Sequence, residues 1–293
     1  MRLKGWMTEL VTPFRDGKID QEAFRALVDW QIEQGVNGLV PAGTSGENST
    51  LSRDEHRSVV AICIEQSRGR VPVIADASSN QTLEAVRMAR QAEQGGAAAV
   101  LVVTPYYNKP GQEGLVQHFK AINDAIGIPI IMHNNQPRSI IDMSVDTMKR
   151  LFELRNIAGV MDSTVNVGRI SLQRHALGPD FIQLAGDDMT ALASIAAGAR
   201  GCISVTSNVA PRACVDLFEA VDRGDLAAAL RVQDRLTPLH AGLLVESGVS
   251  GAKYGLSALE RLTEEVRLPL TPMTDASKAI VRNALTHAGL YHD

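Results

Sequence analysis

Short apolar runs rich in valine and isoleucine recur along this chain, and their spacing constrains the fold more than any other feature. They fall at Glu9–Thr12, Gly38–Ala42, Val71–Ala75, Ala98–Thr104, Ile128–Asn134, Ile157–Asp162, Ile182–Gly186 and Gly201–Ser207. Near-continuous apolar strands are buried on both faces, as in parallel sheets. Helical patterns lie between them. Phe24, Leu27, Val28 and Ile32 follow helical spacing, with Gly35 as a stop. Ser52 and Glu55 form an S-x-x-E capping box ahead of Val59, Val60, Cys63 and Ile64. Asn80 is the expected N-cap of a helix through Val86 and Ala89.

Eight strands, each followed by a helix, give the arithmetic of an α/β protein built as a (β/α)8 TIM barrel. An open doubly wound sheet fits less well, because no G-x-G-x-x-G follows the first strand. Residues 1–224 are expected to form the barrel. Residues 225–293 are expected to form a C-terminal helical domain, with helices at Asp225–Leu236, Leu239–Val245, Lys253–Glu265 and Ala276–Ala288.

Composition narrows the function. A formal net charge of −4 lacks the basic surplus of a nucleic-acid binder. No apolar run approaches the ~18–20 residues of a membrane span. The opening residues lack the apolar core of a secretory signal. Cys63, Cys202 and Cys214 lack C-x-x-C spacing and read as reduced core thiols, which suits a cytoplasmic protein. The scattered histidines give no metal motif, so no metal or other cofactor is expected.

Chemistry on such a barrel sits where strands run into the following loops. The second run ends in Pro41-Ala42-Gly43-Thr44-Ser45-Gly46-Glu47. Successive backbone N–H groups with two hydroxyls there make either an anion seat or an ordinary glycine-rich turn. The fourth ends in Tyr106 and Tyr107, flanked by prolines. The fifth ends in His133 and Arg138. His133 is either an acid–base group or a satisfied core histidine. Arg138 is either a carboxylate clamp or a surface ion-pair partner. Met161, at the end of the sixth, reads by its side chain as core.

The segments GTSGENSTLSRDEH, VTPYYNKPGQEGLVQHFKAI, IIMHNNQPRS, AGDD and GCISVTSN, with RLTPLHAGLLVE and LPLTPMTDASKAIVRNALTHAGL, resemble dihydrodipicolinate synthase. That group belongs to the N-acetylneuraminate lyase family of pyruvate-dependent aldolases. The resemblance runs from about Gly5 to Leu290. It implies lyase chemistry of lysine biosynthesis, the condensation of pyruvate with aspartate semialdehyde. It also implies a homotetramer built as a dimer of dimers. Thr44 and Ser45 match the loop that binds the pyruvate carboxylate. Tyr107 matches a proton-relay tyrosine that crosses into the neighbouring subunit. Arg138 matches the arginine that holds the aldehyde substrate's carboxylate, and Gly186 and Ile203 match positions that shape the pyruvate pocket. Asn48, Ser49, His56, Asn80, Glu84 and Tyr106 match a site that binds lysine in many members, with Arg53 in place of a frequent histidine.

Two departures fall on the chemistry. Where the family has K-[DE]-[SA]-[ST]-G, with the lysine that forms a Schiff base, the chain has Met161-Asp162-Ser163-Thr164-Val165. Where the family has Y-N-x-P, it has His133-Asn134-Asn135-Gln136-Pro137. A thioether forms no imine. Lys4, Lys18, Lys109, Lys120, Lys149, Lys253 and Lys278 all lie outside the second to eighth strands. Losing the covalent group of a concerted unit costs on the order of 10⁴–10⁶ in rate. General-base work by His133 typically contributes about 10²–10⁴. The expectation is therefore a family member without Schiff-base catalysis that keeps a barrel mouth binding a keto acid or other small carboxylate. The alternatives are a divergent lyase using His133 as acid or base, and a lysine-binding regulatory tetramer.

Overall fold

The structure is a computed structural model that describes residues 3–291. Eight parallel strands form the barrel: β1 (Gly5–Glu9), β2 (Gly38–Val40), β3 (Ile74–Asp76), β4 (Ala99–Val103), β5 (Ile130–Asn134), β6 (Ile157–Asp162), β7 (Ile182–Ala185) and β8 (Gly201–Ser204). β1 lies between β2 and β8, with Met7 beside Gly38 and Thr8 beside Ser204. A single parallel bridge, Leu39 to Val73, joins β2 to β3 and closes the ring.

The strands are apolar throughout because each face is buried differently. Met7, Val40, Ile74, Ala99, Leu101, Ile131, Met161, Leu184 and Ile203 fill the barrel interior. Trp6, Leu39, Val73, Val100, Val102, Met132 and Val160 point outward onto the helices. In β4 this is a strict alternation, Ala99 and Leu101 inward, Val100 and Val102 outward, the period-two geometry of a strand.

The outer ring comprises α1 (Gln21–Glu33), α2 (Arg53–Ser67), α3 (Thr82–Gln94), α4 (Gln112–Asn123), α5 (Val145–Phe152), α6 (Gly168–Leu177), α7 (Ala191–Ala196) and α8 (Pro211–Asp222). The capping box forms as expected: the Ser52 hydroxyl accepts from Glu55 N, and Glu55 accepts from Ser52 N. Three further helices follow, α9 (Leu226–Leu243), α10 (Gly248–Ala258) and α11 (Asp275–His287).

Several expected boundaries move. The first strand is Gly5–Glu9, not Glu9–Thr12. Leu10 and Val11 are buried as a loop, with Val11 N donating to the Asn208 side chain. Apolarity there marks burial, not a strand. The third strand lies at Ile74–Asp76, beginning three residues and ending one residue later than expected. Gln81, not Asn80, stands at the N-cap position of α3, without a side-chain cap, and the Asn80 carbonyl accepts from the Asn108 side chain. The helices expected either side of Pro238 are one helix, because Ala229, Leu236, Leu239 and Leu243 bury a continuous face that outweighs the lost hydrogen bond. The expected Lys253–Glu265 helix begins earlier, at Gly248, and stops at Ala258.

Candidate functional site

The C-terminal strand ends meet at a cavity of about 290 Å³. Thr44, Asn48, Asp76, Tyr106, Asn135 and Arg138 contribute to its wall. Arg138 follows β5 on a short helical turn and is exposed there. Asp76 ends β3 and is buried. It accepts from Asn48 Nδ2 and Ser78 N, each at 2.8 Å, and from the Ser78 hydroxyl at 3.0 Å. Burial nonetheless lifts its carboxyl to about 7, with the nearby Glu9 adding to the rise against the Ser78 hydrogen bonds.

The loop after β2 donates two hydrogen bonds to a side chain of this chain. Glu9, the last residue of β1, is buried. One carboxylate oxygen accepts from Thr44 N at 2.9 Å, and the other accepts from the Ser45 hydroxyl at 2.7 Å. A Cβ on Gly43 would come within 2.5 Å of the Glu9 carboxylate, so only glycine allows this approach. Burial raises the Glu9 pKa. The Ser45 and Thr44 hydrogen bonds and the charge of Arg138 work the other way.

The two departures lie deeper. His133 and Met161 are register partners on β5 and β6. Met161 packs in the interior layer with Met7, Val40, Leu101 and Ile203. Its side chain closes on Gly186, where an added Cβ would meet the Met161 methyl at 3.0 Å and the Ser163 hydroxyl at 2.1 Å. His133 Nε2 lies 3.0 Å from the Ser163 hydroxyl, which also faces the Gly186 carbonyl at 3.2 Å. Burial pulls His133 down to about 4, so the ring is neutral at physiological pH. Val165 has a left-handed backbone, φ 54°, which suits a glycine and strains a β-branched residue.

The sequence-derived candidates therefore fall into four places. Thr44 and Arg138 face the cavity, with the Ser45 hydroxyl turned to Glu9. His133, Met161, Gly186 and Ile203 lie below, outside its wall. Tyr107, 92% exposed, stands away from it, also with a left-handed backbone, φ 70°. Asn48, Ser49, Arg53, His56, Glu84 and Tyr106 share a neighbouring cleft of about 170 Å³, whose wall Asn80 does not join. In that cleft Glu84 is paired with both Arg53 and Arg87, and His56 Nε2 bonds the Asp76 carbonyl at 2.9 Å.

Three residues at the mouth escaped the sequence reading: Glu9, Asp76 and Lys253. The first two carried a usable signal, a carboxylate at a strand end. Lys253 is buried on α10 and pairs with Glu47, which lines the cavity. Among the described residues no group of acidic, histidine and cysteine side chains is arranged to hold a metal ion, and no helix is long and apolar enough to cross a membrane.

A closed parallel barrel with a cavity at its C-terminal strand ends has the architecture of the (β/α)8 enzymes. The dihydrodipicolinate synthetase family model matches residues 2–288, and the chain belongs to that family. It is 64% identical to the 4-hydroxy-tetrahydrodipicolinate synthase of Rhodopseudomonas palustris strain BisA53, over 98% of this chain and 97% of the relative. The synthase of the same name from Nitrobacter hamburgensis is 62% identical, over 99% and 98%. Among solved structures, the pyruvate complex of the chloride-inhibited dihydrodipicolinate synthase from Acinetobacter baumannii superposes with a TM-score of 0.97. It is 40% identical and covers 99% of this chain and 100% of that one.

Proposed function

We propose that this chain is a dihydrodipicolinate-synthase-family protein without Schiff-base catalysis, whose barrel mouth binds a small carboxylate such as a keto acid. The observation that carries this reading is Met161, an unreactive thioether buried where the family's motif places its lysine. Among the described residues no lysine lines the cavity. Lys253, the buried lysine nearest in kind, is committed to Glu47. Arg138 supports the carboxylate reading, because its exposed guanidinium sits at the cavity wall and suits bidentate recognition.

The other two readings have weaker support. An acid–base role for His133 needs a titrating ring on the cavity, and this ring is neutral and lies below it. A lysine-binding tetramer needs Glu84 free to meet an ammonium, and two guanidinium groups already hold it. The homotetramer itself, a dimer of dimers, is retained in the proposal. The outward presentation of Tyr107 suits a hydroxyl offered to a neighbouring subunit. A C-terminal helical domain from residue 225 and a cytoplasmic location complete it.

Incubation with pyruvate and borohydride, followed by intact mass, tests the catalytic claim. The expected result is no added mass. A stoichiometric adduct mapped to any lysine overturns it. For the carboxylate claim, calorimetry with pyruvate and longer keto acids should show binding that Arg138→Ala removes.

A further inference from the structure

A glycine-rich loop that offers a backbone N–H and a hydroxyl side by side binds an anion wherever one can reach it. Here the anion is supplied from within. Glu9 reaches across from β1 and spans both donors, one oxygen on Thr44 N and the other on the Ser45 hydroxyl. This is the arrangement in which the two oxygens of a free carboxylate would sit. The carboxylate is 4% exposed as a residue and makes no ion pair among the described residues, so the loop is its main support. Gly43 leaves no room beside it. A tethered, pre-oriented group outcompetes the same group free in solution, since effective molarities of such groups reach ~10⁵ M and above. A free keto acid must therefore compete with Glu9 for these two donors.

We propose that Glu9 is a specificity-determining internal ligand: its carboxylate fills the seat at Thr44 and Ser45, so a free keto acid meets the barrel mouth through Arg138 alone. This deepens the carboxylate-binding reading above and rests on it. It also names the ligand class that the wild-type mouth selects. A molecule with one carboxylate for Arg138 and no second anion directed at the loop is accepted. One whose binding needs the loop is refused.

The test uses the full chain and three probes: pyruvate, formate and acetate. Calorimetry should show Glu9→Ala binding pyruvate at least tenfold more tightly than wild type. Adding Ser45→Ala to that variant should remove the gain. Formate or acetate should refill the vacated seat, raising the melting temperature of Glu9→Ala saturably and by more than that of wild type. If Glu9→Ala does not fold, Glu9→Ser, a polar side chain too short to reach the loop, replaces it and should bind pyruvate more tightly than wild type. Equal pyruvate affinity in wild type and the Glu9 variants overturns the proposal, as does a gain in Glu9→Ala that survives the addition of Ser45→Ala. A borohydride adduct on wild type, by contrast, would sink the loss of Schiff-base catalysis and leave the occupied seat standing.

Discussion

Replacing Lys253 by methionine tests what joins the C-terminal helices to the barrel mouth. The Lys253 ammonium lies 2.5 Å from Glu47 Oε1, donates to the Glu265 carbonyl at 2.7 Å, and sits 4.0 Å from the centroid of the Phe14 ring. Both charged side chains are sealed, at 0% and 1% exposure. Burial pulls the ammonium down to about 8, and Glu47 works to keep it protonated at neutral pH. Lys253→Met conserves most of the volume and removes the charge. Glu47 is left with one hydrogen bond, from Arg267 N at 2.9 Å. The Arg267 guanidinium cannot turn to it, because Glu55 and the Thr50 and Gly17 carbonyls hold it. Stranding one member of a buried pair costs about 3–5 kcal/mol. Urea unfolding followed by circular dichroism should show a loss of that size. Adding Glu47→Leu removes the stranded charge and should recover most of it, since apolar replacement of a whole buried pair is often neutral. A single variant within about 1 kcal/mol of wild type, below the range for a broken buried pair, would refute the reasoning.

Asp76, Glu84 and His133 give further tests. The folded Asp76 carboxyl is lifted from 3.8 to about 7, so between those values the folded state keeps a proton that the unfolded chain releases. Stability should therefore fall as pH rises through that window and level off above it. Asp76→Asn should flatten the decline in a melting-temperature series, and an unchanged slope would rule out Asp76 as its source. His133, pulled down to about 4, should show no imidazole titration by NMR between pH 5.5 and 8, and a midpoint above 6 would contradict its burial. Free lysine, with arginine and ornithine as controls, should leave the melting temperature unmoved, because Arg53 and Arg87 already satisfy Glu84. A saturable rise with lysine alone would restore the regulatory-site reading.

What could be read from the sequence depended on how far apart the partners lie. The capping box links residues three apart, and it was visible directly. The eight strands were visible because burial on both faces leaves an unbroken apolar signature. The first one was misplaced because the loop after it is equally buried. The loop at Thr44 and Ser45 is legible from its own residues as either an anion seat or a glycine-rich turn. Its occupant was not, because Glu9 is 35 and 36 positions away and arrives only through the pairing of β1 with β2. Lys253 and Glu47 are separated by 206 positions, and no local pattern connects them. Helix breaks were hard to place for a related reason: Pro238 signals an end locally, while the packing of Leu236 and Leu239 carries the helix past it.

The occupied seat changes what restoring catalysis would require. Met161→Lys with His133→Tyr supplies the amine and the phenol that the family's motifs contain. The new amine would lie among Met7, Val40, Leu101 and Ile203, where desolvation lowers its pKa and favours the neutral, nucleophilic form. Chemistry at that amine also needs the keto acid held in position, and the Thr44 and Ser45 donors are bound to Glu9. Loss of such positioning alone can remove several orders of magnitude in rate. The double variant should accordingly show little consumption of aspartate semialdehyde with pyruvate, and little borohydride-trapped adduct at position 161. Adding Glu9→Ala should raise both together, at least tenfold, and Ser45→Ala in the triple variant should remove the increase. A double variant as active as the triple one would mean that the keto acid either displaces Glu9 or never uses the loop.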